Sequence, residues 1–313
     1  MSRPTQANRL EVEAAGLRFQ NPVLLAAGTA AYGRELSDVL DIDALGGLVT
    51  KAVSPEPRSG APAPRVAEFP GGMINAVGLA NPGMADVRER ELPWIASNVS
   101  RARVLVNVVG NAPEDFATVV QYLEGADGVD GFELNVSCPN VRAGGMEFGA
   151  DPRTLREVVS RAREATRRPV FVKLSPTLSD IAQAASIAVD AGADGITVVN
   201  TIPGLVIDIE TRRPALGFGT GGVSGVSVMP VGVLAAARVS RAVKVPVVGV
   251  GGIATVDDAL QYLIAGASLV ALGTASMRDP RSPERVVRGL EHWCARHGVR
   301  SIREVIGTLE WRT

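Results

Sequence analysis

Two lysines stand where lysine is costly. Lys51 closes the run Leu48-Val49-Thr50-Lys51 and Lys173 the run Val170-Phe171-Val172-Lys173. A buried ammonium needs an anion nearby, so each lysine either forms a structural ion pair or meets a charged ligand. Only three of the 32 basic residues are lysines, the third being Lys244. A lysine kept inside an apolar run of such an arginine-rich chain points to a task that guanidinium cannot do. Cys138, in Asn135-Val136-Ser137-Cys138-Pro139-Asn140, is a candidate base if those lysines favour its thiolate; otherwise it is a small buried apolar residue. Asn107, Asn135 and Asn200 with Thr201 add donors and acceptors at the ends of other apolar runs. Gly251, Gly252 and Gly273, the last beside Thr274, close two late runs. Without Cβ atoms there, backbone N–H groups can approach a phosphate, although tight turns use the same residue.

These groups meet only if the elements carrying them end at one place. Short Val-, Ile- and Leu-rich runs recur at residues 22–28, 46–53, 104–110, 131–138, 169–175, 195–201, 246–253 and 269–275. Such runs read as strands buried on both faces, the mark of a parallel sheet. Between most of them, residues 114–123, 152–165, 179–191, 231–242, 256–265 and 282–297 put apolar side chains at three- and four-residue steps, as helices do. Glu114, Asp180 and Asp257 fall near helix starts, where carboxylates suit the dipole. Eight strands alternating with helices predict an α/β fold, a single (β/α)8 barrel over residues 1–313 with residues 1–9 flexible. In such a barrel the site lies at the C-terminal strand ends, with phosphate bound after the seventh and eighth strands. Those ends carry Gly28 and Thr29, Lys51, Asn107, Asn135 with Cys138, Lys173, Asn200 with Thr201, Gly251 with Gly252, and Gly273 with Thr274.

Three stretches depart from the repeat. Residues 10–19 alternate weakly and predict a hairpin closing one barrel end. Residues 54–93, with seven prolines, and the glycine-rich residues 202–229 predict long loops over the mouth, the second more mobile. Gly217-Phe218-Gly219-Thr220-Gly221-Gly222 formally fits a dinucleotide fingerprint, but it follows no predicted strand and is read as loop.

Composition narrows the function classes. A net charge of -1 gives no field favouring nucleic acid or an anionic membrane. No apolar run is long enough to span a bilayer, and residues 1–10 lack a signal peptide's hydrophobic stretch. The two cysteines, Cys138 and Cys294, do not suggest a disulfide framework, so a reducing cytoplasm is expected. His292 and His297 share a late helix without metal-ligand partners, and no metal is expected.

Taken in order, the motifs resemble those of the dihydroorotate dehydrogenases, specifically the class 1B catalytic subunits. The likeness runs from Asn21 to about Thr308. It rests on Asn21-Pro22-Val23 through Ala26-Ala27-Gly28-Thr29, Thr50-Lys51, Asn75-Ala76-Val77-Gly78-Leu79-Ala80-Asn81-Pro82-Gly83 and Asn135-Val136-Ser137-Cys138-Pro139-Asn140. Val172-Lys173-Leu174-Ser175-Pro176, Asn200-Thr201, Gly221-Gly222-Val223-Ser224-Gly225, residues 249–252 and Gly273-Thr274 complete it.

The resemblance implies a non-covalent FMN across the mouth, with its phosphate on backbone at Gly225, Gly251, Gly252, Gly273 and Thr274. Ala27, Gly28, Thr29, Lys51, Ala52, Asn107, Asn135, Lys173 and Val199 would line the rest of the flavin, Lys173 at its pyrimidine edge. Lys51, Asn75, Ala76, Val77, Gly78, Leu79, Asn135, Asn140, Asn200 and Thr201 would bind dihydroorotate, with Lys51 and Cys138 as the catalytic pair. Cys138 would take the C5 proton as hydride leaves C6; the family's class 2 branch carries serine there. A class 1B barrel would form a homodimer joined by a subunit bearing FAD and a [2Fe-2S] cluster, passing electrons to NAD. Besides a non-catalytic ligand-binding barrel, two readings compete. A dihydropyrimidine dehydrogenase-like barrel shares FMN and the cysteine, but Lys51 with Asn140 favours a carboxylated substrate. A flavin-free aldolase would use Lys173 as a Schiff-base amine.

Overall fold

The computed structural model describes residues 8–137, 139–140 and 146–311. Eight parallel strands close into a barrel: β1 (Val23–Leu25), β2 (Gly47–Val49), β3 (Arg103–Val108), β4 (Gly131–Asn135), β5 (Val170–Leu174), β6 (Gly195–Val198), β7 (Val247–Val250) and β8 (Leu269–Leu272). Each pairs with its sequence neighbours, and β8 returns to β1 through Val270 opposite Val23. Except for Arg103 at the start of β3 and Asn135 at the end of β4, every strand residue is buried. That explains the continuous apolar runs: helices cover one face and packed side chains fill the other.

Among the described residues, seven helices longer than five residues surround the strands: α1 (Leu92–Asn98), α2 (Pro113–Leu123), α3 (Pro152–Glu164), α4 (Ile181–Asp190), α5 (Met229–Ala242), α6 (Val256–Ile264) and α7 (Ser282–Arg296). In α2 the buried residues Phe116, Val119, Val120 and Leu123 recur at three- and four-residue steps, a stripe that can only face a core. Capping fixes where several helices begin. Asp180 accepts from the backbone N–H groups of Ala182 and Gln183. Thr255 and Asp258 form a reciprocal capping box before α6. At α2, Glu114 lies in the first turn as expected, and beside it Asp115 accepts from the backbone of Asn111 and Ala112. No α-helix joins β1 to β2; two short 3-10 turns, Arg34–Leu36 and Ile42–Ala44, do so instead.

The expected hairpin is present, with Val12–Ala14 antiparallel to Leu17–Phe19. Arg103 Nε donates to Arg18 O and Gln20 Nε2 to Asp43 O and Leu45 O, which place it at the N-terminal end of the barrel. Residues 1–7 of the predicted flexible start lie outside the described residues. Asn8 and Arg9, by contrast, are tied down: Asn8 Nδ2 donates to Gln20 O, and Arg9 O accepts from Ile302 N at 2.8 Å.

The two long segments are not plain loops. Residues 54–93 contain the hairpin Val66–Phe69 with Gly72–Asn75 and the start of α1. Residues 202–229 supply Ile202–Gly204 and Gly221–Ser224, and these four strands form one antiparallel sheet. The stretch Gly217 to Gly222 runs through a turn into one of its strands, not from a strand into a helix. Asn75, Ala76, Val77, Gly78 and Leu79 leave this sheet beside the barrel mouth.

Candidate active site

The strands end in a cleft of about 390 Å³, within the range of small-molecule and cofactor sites. Of the expected cofactor contacts, Ala27, Gly28, Thr29, Lys51, Ala52, Asn107, Asn135, Lys173, Val199, Gly225, Gly251, Gly252, Gly273 and Thr274 all line it. So do the expected substrate contacts Asn75, Ala76, Val77, Gly78, Leu79, Asn200 and Thr201. Cys138 and the side chain of Asn140 lie outside the described residues. Ser137 reaches the cleft, and Pro139–Asn140 pairs with Met146–Glu147, so the chain leaves β4 along the rim. Several of the lining residues sit in loops one to four residues past strands shorter than the sequence suggested: β1 ends at Leu25 and β2 at Val49.

The loop carrying Lys51 is held from both sides. Lys51 N donates to Ala31 O at 2.8 Å; Thr50 Oγ1 donates to Lys51 O at 2.9 Å and accepts from Asn107 N at 3.2 Å. Among the described residues no carboxylate lies within ion-pair distance of Lys51. Burial, and then the Arg65 guanidinium, push its ammonium below the usual lysine range, with Glu35 opposing. Lys51 therefore holds an unmatched charge at the cleft wall.

Lys173 differs. It is buried, and its Nζ lies 3.9 Å from Glu133 Oε1. The structural alternative for this lysine is met by its ion-pair partner Glu133, and Lys173 also lines the cleft. Lys244 is exposed at the far end of the barrel.

At the rim, hydrogen-bond logic sets the amide orientations. Asn200 Oδ1 accepts from the backbone N–H of Thr201 at 2.8 Å, so its Nδ2 donates to Asn135 Oδ1 at 3.1 Å. The NH2 group of Asn135 is left as a donor toward the cleft.

At the phosphate end, the glycines divide into two roles. Gly251 and Gly252 have φ of 120° and 73°, which L side chains rarely adopt, and both line the cleft. Gly249 instead makes room for Tyr262 of α6, since a Cβ there would lie 2.3 Å from the ring. The Tyr262 hydroxyl lies 2.7 Å from Gly251 O and 3.1 Å from Val250 O, bracing the loop from behind. Thr274 Oγ1 donates to Ser224 Oγ at 2.8 Å, joining the end of β8 to the sheet over the mouth. A Cβ at Gly28 would meet nothing within 4 Å, so this backbone faces open cleft. A cradle of bare, left-handed backbone at one end and amides with a lysine at the other fits a phosphate-bearing ring such as FMN.

Comparison with known proteins agrees with this geometry. The family model described as dihydroorotate dehydrogenase matches residues 9–294. The chain belongs to that family. The dihydroorotate dehydrogenase B (NAD(+)), catalytic subunit, of Geotalea uraniireducens (strain Rf4) is 43% identical over 300 residues, 96% of this chain and 98% of that protein. The proteins of the same name from Geobacter sp. (strain M21) and Citrifermentans bemidjiense are each 43% identical over 310 residues, 99% of this chain and 100% of theirs.

Two residues that brace this cleft have no counterpart among the expected site residues: Glu133 under Lys173, and Tyr262 behind Gly251. A carboxylate inside the apolar run of residues 131–138 and a glycine within β7 were their signals. Neither names its partner, because Lys173 is 40 residues away from the one and Tyr262 sits on a different element from the other.

Proposed function

We propose that this chain oxidises dihydroorotate to orotate in the cytoplasm, as one domain, with FMN bound in the cleft. The observation that carries this reading is the cleft itself. It unites a glycine cradle, an amide-and-lysine floor and the unpaired Lys51 in a member of the dihydroorotate dehydrogenase family. Gly225, Gly251, Gly252, Gly273 and Thr274 would hold the phosphate. Lys173, Asn107, Asn135 and Val199 would line the ring, with Ala27, Gly28, Thr29 and Ala52 beside them. FMN supplies a two-electron acceptor for the substrate hydride.

The remaining steps belong to this chain's own side chains. Lys51 would neutralise the substrate carboxylate, and the Asn135 NH2 group would donate to a ring carbonyl. Asn75, Asn140, Asn200 and Thr201, with the backbone of Ala76, Val77, Gly78 and Leu79, complete the enclosure. Cys138 removes the proton at C5 as hydride leaves C6. Homodimers joined to an FAD/[2Fe-2S] subunit would carry the electrons to NAD.

The purified chain is expected to be yellow and to release FMN on denaturation. Anaerobic dihydroorotate should bleach the flavin absorbance, whereas dihydrouracil should not. Bleaching by dihydrouracil alone would favour the dihydropyrimidine dehydrogenase-like alternative; protein refolded with FMN that retains none would overturn the reading.

Lys51→Ala is expected to weaken orotate binding by the worth of a charge-assisted contact, about 1.5–3 kcal/mol, with a smaller effect on FMN. Only the ammonium attracts a carboxylate. Orotate affinity should therefore hold at low pH and fall as pH rises through the lowered pKa of Lys51, at a lower pH than an ordinary lysine would impose. Orotate titrations across pH check this: the wild type should show the falling limb and Lys51→Met should be flat. The same limb in Lys51→Met would assign the titrating group elsewhere.

A further inference from the structure

Glu133 is absent from the cleft lining, yet two lining residues converge on it. It sits in β4, 1% exposed, between β3 and β5. Its Oε1 accepts from Asn107 Nδ2 at 2.8 Å and lies 3.9 Å from Lys173 Nζ. Asn107 is directly opposite Glu133 in register, while Lys173 is opposite Asn135, one inward-facing residue further up. The carboxylate is thus directly beneath the cleft floor.

We propose that Glu133 is a positioning residue that fixes which atom of Asn107 faces the ligand and offsets the charge of Lys173 beneath the ring. This rests on the reading that the cleft holds FMN. A carboxylate can only accept hydrogen bonds, so it captures the NH2 end of the Asn107 amide. Asn107 Oδ1, which makes no hydrogen bond among the described residues, is left as the acceptor offered to the cleft. Without Glu133 the amide is free to turn over, since its two orientations have nearly the same shape. At 3.9 Å the Lys173 ammonium is beyond direct hydrogen bonding to Glu133. It keeps its N–H donors for the cleft while its charge is partly balanced. The floor then presents an acceptor from Asn107 beside donors from Lys173 and Asn135, the complement of a ring edge with N–H next to C=O. Glu133 thereby selects an imide edge without touching it.

The balance of charge gives the decisive readout. A negative charge under the ring opposes the charge that FMN gains on reduction. Removing it should make the flavin easier to reduce, an effect that loosened packing alone would not produce with this sign. In Glu133→Gln the ratio of affinities for reduced over oxidised FMN is expected to rise about tenfold, the scale of one strongly coupled buried charge. The flavin midpoint potential should rise accordingly, measured by dye-equilibrated photoreduction of the FMN-loaded chain. A potential equal to or below that of the wild type, with FMN bound, overturns the proposal and leaves the FMN reading standing. Wild-type chain that binds no FMN overturns both. If the Gln variant does not fold, Glu133→Asp decides: it keeps the charge but withdraws it from Asn107. Weaker FMN binding with a near-normal potential supports the proposal, and wild-type FMN affinity overturns it.

Discussion

Replacing Cys138 by alanine is expected to slow flavin reduction by dihydroorotate by at least ~100-fold, the scale for removing a general base, while leaving FMN bound. The C5 proton must leave as the hydride does, and a methyl group cannot take it. Ser137 lines the cleft, Asn135 two residues before it presents an NH2 donor there, and Lys51 holds an unmatched charge on the wall. Nearby cations stabilise a thiolate over a thiol. Cys138→Ser should keep a little activity, because a hydroxyl of similar size is a poorer base. Anaerobic stopped-flow of the flavin absorbance, with FMN content measured on the same samples, separates loss of chemistry from loss of cofactor. Near-normal reduction in the alanine variant would move the base to another residue.

The second large effect concerns where the electrons go. The chain alone should reduce artificial dyes with dihydroorotate but not NAD, and a co-expressed FAD/[2Fe-2S] subunit should restore NAD reduction. In the proposed path the electrons pass to NAD through FAD and a [2Fe-2S] cluster, and the two cysteines of this sequence cannot supply the thiolates that such a cluster needs. Cys294 is in any case buried in α7, where burial raises its thiol pKa, away from the cleft. Steady-state assays with NAD, a dye and fumarate, on the lone chain and on the co-purified complex, test the point. Efficient fumarate reduction by the lone chain, with no partner co-purifying from the native cell, would mark a self-sufficient enzyme instead.

How the fold was legible follows from what local chemistry encodes. The barrel strands are buried on both faces, so β1 or β7 is apolar throughout, and that can be read from the residues alone. The helix stripes and the carboxylates Glu114, Asp180 and Asp257 in or beside first turns are local in the same sense: each partner lies within one or two turns. Lys51, Lys173 and the glycines just after β7 and β8 stood out because they are costly or permissive in themselves, whatever surrounds them. Strand order then put them at one mouth.

The sheet over that mouth was not legible. Gly222 pairs with Asn75, and neither the proline-rich nor the glycine-rich segment carries a pattern specifying the other. Read singly, both resemble loops, because an antiparallel strand exposed on one face leaves little periodicity in four residues. Glu133 shows the same limit at the site. An isolated acidic residue in an apolar run signals a partner but not which one. Only closure of the barrel, setting β3 and β5 on either side of β4, brings Asn107 and Lys173 to its carboxylate. Residue types therefore announced that charge had to be buried here, and the strand register chose the groups that balance it, because hydrogen bonds and ion pairs act over a few ångströms while their partners lie 26 and 40 residues apart along the chain.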